Sequence, residues 1–239
     1  MTNDEPEPEE HEKPEEHEPN KEPAENKEPA EHEGRSVDRL IFFSDAVTAI
    51  AITLLAIDLP VPQGAPAGAF WASVRHNDGQ YLAFLVSFIT IAAAWSDHHD
   101  AFRHIRRSDP RLRQLNMLWL LFIIVMPSAT KLLSENGNDD LTVHAFQWGF
   151  YALLQVLISV ALFAMVRHMI SHHLQEPGTE DKDGKASDWR TYGPTLGFAL
   201  SIPVFFVTTY GWILWIVVPV LFHRLRWLAR RNRRGRVAR

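Results

Sequence analysis

Long apolar runs separated by short polar segments dominate the chain from residue 37 onward. These runs recur at 37–59, 80–97, 112–133, 142–166, 188–208 and 210–227. Each approaches the roughly 20 residues that a helix needs to cross about 30 Å of hydrocarbon, and none shows the alternation of a barrel strand. Only helices and closed barrels satisfy every backbone polar group in a bilayer. The pattern therefore predicts an all-α membrane protein with six transmembrane helices.

The two ends of the chain depart from this pattern. Residues 1–34 hold 14 acidic residues against 3 Lys, a net charge of −11, and almost no apolar residue. Such a segment cannot bury enough surface to offset the entropy lost on ordering. We therefore predict a disordered acidic tail at 1–34, a six-helix membrane domain at 35–230 and a basic tail at 231–239.

Basic residues are concentrated in alternate connections, which predicts the orientation. They follow the second, fourth and sixth runs, at Arg103, Arg106, Arg107, Arg111, Arg113, Arg167, Lys182, Lys185 and eight arginines from Arg224 to Arg239. Lys and Arg accumulate on the cytoplasmic side of membrane proteins. We expect a multi-pass protein of the cell (inner) membrane with both termini in the cytoplasm.

The first apolar run carries a charged motif at its start and an aliphatic stripe along its length. With about 100° of rotation per helical residue, Leu54 lies at about 40° and Ile57 at about −20° from Ile50. Asp45 and Ser44 lie at about 220° and 120° and face elsewhere. An apolar stripe in a membrane helix ordinarily faces lipid or packs, so periodicity alone leaves open whether this stripe lines a pore.

A specific motif adds to that geometry. Arg39 is followed after three residues by Phe43, Ser44 and Asp45, which lead into AVTAIAITLLAIDLP. This string resembles the start of the first span in bacterial members of the endolysosomal potassium channel family, transmembrane protein 175. The segment AWSDHHDAFRHIRRSDPRLRQLNMLWLLFIIVMPSAT also resembles the second and third spans of that family.

The resemblance implies a homotetramer of six-span subunits in which the first helices line a central pore. It places the family's constriction five, nine and twelve residues after the motif Asp, at Ile50, Leu54 and Ile57. The implied activity is a moderately potassium-selective cation channel with a hydrophobic constriction, and K⁺ is the permeant ion rather than a cofactor. Thr53, beside the stripe, is positioned to offer hydroxyl oxygen to the ion.

The charged motif is expected to brace the helix on the side away from the pore. An unpaired charge at the centre of the hydrocarbon costs about 2.5 to 3.5 kcal/mol on the insertion scale, so Asp45 needs hydrogen-bond partners. The expected brace consists of Arg39, Phe43, Ser44 and Asp45, with candidate partners on the second and third spans at Trp95, His98 and Asn116. Asp58, at the far end, either concentrates cations at the pore mouth or is an ordinary solvated charge.

Other clusters of polar residues point to weaker alternatives. Asp97, His98, His99 and Asp100 are consecutive, so on a helix they point in all directions and do not form a metal site. The histidines after the fourth run, His168, His172 and His173, are interpreted as part of the cytoplasmic end of a helix. The arginine-rich C-terminus follows a membrane span, so anionic lipid is its expected partner, not nucleic acid. No nucleophile with a base, phosphate loop or cofactor motif indicates an enzyme.

Two alternatives to a channel remain open: a transporter or proton pathway, and a non-conducting membrane scaffold, which would show neither current steps nor coupled flux. Ionisable residues inside membranes often relay protons, so Asp45 and His98 also suit a secondary transporter or a proton-conducting pathway. A channel passes uncoupled current in steps, whereas a transporter saturates and couples two fluxes.

Overall fold

The computed structural model describes residues 27–103, 105–134, 140–175 and 180–237, with side chains from 34 to 225 except for 104, 135–139 and 176–192. The described residues form seven α-helices: α1 Lys27–Ile57, α2 Ala67–His76, α3 Asp78–Phe102, α4 Pro110–Ser134, α5 Leu141–Ser171, α6 Glu180–Phe205 and α7 Leu214–Val237. A 3₁₀ helix, Thr209–Ile213, joins the last two. There is no β-strand among the described residues, and the prediction of a helical membrane protein is confirmed.

Four helices are long and apolar enough to cross a membrane, within the described ranges: Gly34–Ile57 of α1, and α3, α4 and α5. The apolar parts of the last two helices are shorter, at Gly193–Phe205 and Thr209–Leu225. The predicted count of six spans therefore stays a prediction for these two helices.

The spanning helices pack antiparallel along the chain. The start of α1 lies against the end of α3 and the start of α4, where Asn116 bonds to Ser44 and Trp95 to Asp45. At the other end, Tyr81 of α3 donates to the Pro60 carbonyl just after α1. Residues with 0% exposure, such as Trp119, Ile123 and Met126, make α4 the central helix of this packing.

The last two helices form a hairpin against α5. Gly197 of α6 lies so close to α7 that an added Cβ would sit 2.8 Å from the Leu214 carbonyl oxygen. Trp215 of α7 donates to Ser201 of α6 at 2.8 Å and stacks on Tyr151 of α5. Because α6 and α7 approach each other this closely, their two short apolar segments pack together against α5.

Three helix boundaries or elements were not predicted from the sequence. Helix α2 occupies part of a segment expected to be a connection; it follows Pro66, contains no buried residue and is too short to have registered as a span. Helix α1 begins at Lys27, inside the segment expected to be disordered, and α7 continues to Val237, into the predicted basic tail. The rest of the acidic tail, residues 1–26, lies outside the described residues.

Candidate functional site

Helix α1 presents a buried face and a separate exposed stripe. Its buried face consists of Val37, Leu40, Ser44, Thr48, Ala51 and Leu55, each less than 7% exposed. The stripe of Ile50, Leu54 and Ile57 lies on the other side, with 59%, 42% and 75% of their surface exposed. Because the described residues leave these three side chains this exposed, the stripe is available to a partner helix, to lipid or to an aqueous axis.

Thr53 borders this stripe. Its hydroxyl donates to the Ile50 carbonyl at 2.8 Å, and the residue is exposed. Because the hydroxyl hydrogen is already used, the Thr53 oxygen is left as an acceptor. A cation passing along the stripe would therefore meet oxygen lone pairs rather than an O–H group.

Behind the stripe, a chain of buried hydrogen bonds joins α1, α4 and α3. Ser44 Oγ donates to the Leu40 carbonyl at 2.9 Å and accepts from Asn116 Nδ2 at 2.9 Å. Asn116 Oδ1 lies 2.8 Å from His98 Nε2, and Ser44, Asn116 and His98 are all 1% exposed or less. Since Ser44 spends its hydrogen on Leu40, Asn116 must present its amide N–H₂ to Ser44 and its oxygen to His98. His98 therefore carries a proton on Nε2.

Aromatic rings enclose His98 on both faces. The imidazole stacks between Phe102 and Trp119, with ring centroids 4.3 Å away on each side. The stacking and the bond to Asn116 together hold the ring in one orientation. This arrangement suits a structural tie between helices better than a group that must rotate.

Asp45, the neighbour of Ser44, takes a different partner. Trp95 Nε1 of α3 donates to Asp45 Oδ1 at 2.8 Å, with Trp95 38% exposed. Two consecutive residues of the motif thus contact two different helices, α4 and α3. In contrast, Arg39 and Phe43 are exposed and form no hydrogen bond or ring contact within the described part of the chain.

A second polar network lies nearer the opposite end of the same helices and was missed by the sequence analysis. Thr130 of α4 donates to Ser87 of α3 at 2.7 Å, and Ser87 donates to the Tyr151 hydroxyl of α5 at 3.1 Å. Thr90 and Gln155 complete it. The one signal that could have indicated it is Gln155, an amide in the middle of the apolar run LLQVL.

At the end of α1, Asp58 faces a basic residue. Its Oδ1 lies 3.4 Å from Lys131 Nζ of α4, and both side chains are more than half exposed. The two line a hollow of about 350 Å³ together with Leu54 and Ile57. Lys131 therefore offsets part of the negative charge that Asp58 places beside the stripe.

The opposite end of the bundle is tied by Asp109, just before α4. Its carboxylate accepts from the Leu112 N–H at 2.7 Å and lies 2.7 Å from His168 Nε2 of α5. Burial alone would raise the pKa of Asp109, but the Leu112 and His168 contacts outweigh it and hold that pKa below its ordinary value of 3.8. Asp109 is therefore ionised at neutral pH and caps the helix that carries Asn116.

Replacing Asp109 with alanine is expected to lower the free energy of unfolding by about 1 kcal/mol, the usual loss on removing a helix N-cap. Because the pKa of the folded-state carboxyl is lowered, this contribution is present at neutral pH and is lost as pH falls through the lowered pKa. Thermal unfolding of wild type and Asp109→Ala in detergent at neutral and acidic pH measures the difference. Asp100→Ala, an exposed carboxylate at the same end, is the control; equal losses in both variants would contradict the capping role.

The histidine and aspartate clusters do not converge on a metal site. Within the described ranges, no group of three or more His, Asp or Glu side chains is placed to hold a metal ion. His168 instead pairs with Asp109 and stacks on His172, with ring centroids 4.1 Å apart.

Comparison with known proteins gives a consistent result. The family model described as "Endosomal/lysosomal potassium channel TMEM175" matches residues 39–127. This stretch contains the motif, the stripe and the partners Trp95, His98 and Asn116. The matched region therefore includes the exposed stripe of α1 and the residues of α3 and α4 that bond to its motif.

Relatives and solved structures agree with the family match. The chain is 33% identical over 167 residues to a potassium channel of Streptomyces collinus, covering 70% of this chain and 81% of the relative. It is 32% identical over 121 residues to the human endosomal/lysosomal proton channel TMEM175, covering 46% of this chain and 24% of that protein. A crystal structure of a lysosomal potassium-selective channel TMEM175 homolog from Chamaesiphon minutus superposes with a TM-score of 0.64 at 25% identity, covering 80% of this chain and 98% of that one.

Proposed function

Because the chain belongs to the TMEM175 family of ion channels, we propose that it is a potassium channel whose pore is lined by α1. The observation that carries this proposal is the contrast between the two faces of α1. One face is tied to α3 and α4 by buried hydrogen bonds, while the stripe of Ile50, Leu54 and Ile57 is exposed. An aliphatic stripe held outward by polar bonds behind it is suited to a shared axis.

The pore requires more than one subunit. One α1 helix exposes only one aliphatic stripe, so a pore along it needs several copies. On the resemblance to the TMEM175 family, we propose a homotetramer in which four copies of α1 surround the axis. Each subunit would contribute six spans, with α6 and α7 completing the outer layer as an antiparallel hairpin. The solved homologues are channels of this family, which supports the architecture.

A hydrophobic constriction accounts for moderate selectivity. The chain contains no TVGYG-like segment, so a filter of stacked backbone carbonyls is not expected. A ring of Ile50 side chains would form a dry collar that an ion passes only after losing part of its hydration shell. Potassium sheds water more readily than sodium and is favoured, and the acceptor oxygen of Thr53 would help to replace the lost water.

The motif residues support the pore from the side of α1 that faces α3 and α4. We propose that Ser44 and Asp45, with Trp95, His98 and Asn116, fix the rotation of α1 so that Ile50 points to the axis. Arg39 and Phe43 lie on the exposed side of α1, where no described residue ties them to α3 or α4, and their part in this brace stays a prediction. Asp58 would draw cations toward the mouth, with Lys131 limiting its effect.

The membrane setting follows the positive-inside rule. We propose a location in the cell (inner) membrane with both termini in the cytoplasm. The arginine-rich end of α7 would then lie beside the inner leaflet and attract anionic lipid, although its side chains beyond residue 225 lie outside the described ones.

Cysteine accessibility tests the pore assignment directly, since the chain has no native cysteine. Currents of Leu54→Cys in planar bilayers are expected to fall when a charged thiol reagent is added, because the modified side chain obstructs the axis. Leu55→Cys is the matched control: it is the next residue, is 5% exposed and faces the bundle. Inhibition of Leu55→Cys alone, or of neither variant, would place the pore elsewhere.

Proton conduction is a second candidate function, favoured by the description of the human relative as a proton channel. The geometry gives it less support, because His98 is enclosed by two rings and bonded to Asn116. A proton current, or transport by a carrier through Asp45 and His98, would shift the reversal potential under a pH gradient. A channel that prefers K⁺ follows the K⁺ gradient instead.

A further inference from the structure

A deep cleft lies on the flank of α3 that turns away from α1. It has a volume of about 760 Å³ and is bounded by α3, α5, α6 and α7. Its wall on the α5 to α7 side is aromatic, formed by Trp148, Phe198, Trp212 and Trp215. On α3 it meets the small residues Ala83, Ala93 and Ala94, which leave the space open. The pore proposed above does not use this cleft.

The floor of the cleft carries a polar group whose orientation is determined by its neighbours. The Thr90 hydroxyl donates to the Ser87 carbonyl at 3.1 Å, so only its oxygen is left for Gln155. Gln155 Nε2 accordingly donates to Thr90 Oγ1 at 2.7 Å and to the Tyr151 hydroxyl at 3.3 Å. Both amide hydrogens are thereby directed into the second polar network, and Gln155 Oε1 must point the other way, toward the cleft.

Among the described residues, this oxygen is an acceptor without a partner. Gln155 is 5% exposed and lines the cleft, and no described residue donates to its Oε1. Ser159, one turn further along α5, also lines the cleft, and its hydroxyl hydrogen is spent on the Gln155 carbonyl at 3.0 Å. The Trp215 N–H is likewise used, on Ser201. Asp97 adds a carboxylate to the lining nearer the end of α3, so apart from the indole N–H groups the polar side chains of the cleft present acceptors.

The depth of the cleft in the membrane restricts which molecules can fill it. Gln155 lies near the middle of the 31-residue helix α5, far from either membrane surface. A phospholipid headgroup does not reach that depth, and an acyl chain has no donor to give. Ligand sites of about 300 to 1,000 Å³ with apolar walls and a few convergent polar groups suit compact organic molecules.

We propose that this cleft is a binding site for a small membrane-soluble molecule that carries one hydroxyl or N–H donor on an apolar ring or chain. The donor bonds to Gln155 Oε1, and the apolar body lies between the aromatic wall and the alanines of α3. A hydrogen bond contributes about 0.5 to 1.5 kcal/mol, which corresponds to a preference of roughly 2- to 12-fold over a matched molecule without the donor.

Tryptophan fluorescence tests the site, because three tryptophans line it. The probes are 2,4-dibromophenol and 2,4-dibromoanisole, which differ in the hydroxyl donor and both quench indole through bromine. In the detergent-solubilised full chain we expect saturable quenching, with half-saturation at a roughly 5-fold lower micellar concentration for the phenol. Gln155→Leu should remove that preference while saturable binding remains.

A second variant keeps the test decisive if Gln155→Leu does not fold. Ala93→Phe fills the cleft from α3 without touching the polar network and should abolish the saturable quenching. Leu85→Phe, on the exposed flank of the same helix outside the cleft, is the control and should quench as wild type does. Linear quenching, equal behaviour of the two probes, or an Ala93→Phe curve identical to wild type would overturn the proposal. If a neighbouring subunit covers the cleft, the quenching will be linear.

Discussion

Replacing Ile50 with asparagine is expected to raise conductance and to bring the K⁺ to Na⁺ permeability ratio close to unity. A ring of amides would hydrate the collar, so neither ion would need to shed water to pass. Currents from purified protein in planar bilayers measure both quantities.

The matched control is Leu85→Asn, which also replaces an aliphatic side chain with an amide, at an exposed position of α3 outside the cleft. It should leave the permeability ratio as in wild type. An unchanged conductance and ratio in Ile50→Asn would remove Ile50 from the pore, and an equal change in both variants would indicate an indirect effect.

Replacing Asn116 with leucine is expected to destabilise the subunit by about 2 to 4 kcal/mol and to reduce the yield of the assembled protein. A hydrogen bond between membrane helices contributes only about 0.6 kcal/mol on average, so the lost bonds alone would not account for this. The larger cost comes from the His98 N–H, which is left buried without an acceptor at about 1 to 3 kcal/mol. Size exclusion and thermal unfolding in detergent measure the outcome.

Two further variants separate this explanation from a simple packing defect. Met117→Leu, at the adjacent exposed position of α4, should behave as wild type. His98→Phe combined with Asn116→Leu should be more stable than Asn116→Leu alone, because the unpaired donor is gone. If the double variant is the less stable one, the unsatisfied His98 N–H is not the cause.

The residues that lie together at one membrane face can be predicted from the sequence, but their pairing cannot. Trp95, His98 and Asn116 were expected near the motif, since spans two and three meet its end of the bilayer. The division of partners, Ser44 to Asn116 and Asp45 to Trp95, depends on the rotation of α1 against two helices at once. That rotation is set by tertiary packing and cannot be predicted from the periodicity of one helix.

The features that could not be predicted from the sequence also depend on tertiary packing. Lys131 lies 73 residues from Asp58, and only the parallel packing of α1 and α4 brings them together. The Tyr151 and Gln155 network joins single polar residues from three apolar runs, each unremarkable in its own run. Helix α2 was missed because a ten-residue helix without a buried face has no strong hydrophobic pattern.

The central claim is that α1 forms an ion pore that prefers potassium. The most direct test is the reversal potential of the purified wild-type chain in a planar bilayer with K⁺ on one side and Na⁺ on the other. We expect stepwise currents that reverse toward the K⁺ equilibrium potential but fall short of it, because a hydrophobic collar lets some Na⁺ pass. A reversal potential at zero, or flux without current steps, would contradict the account.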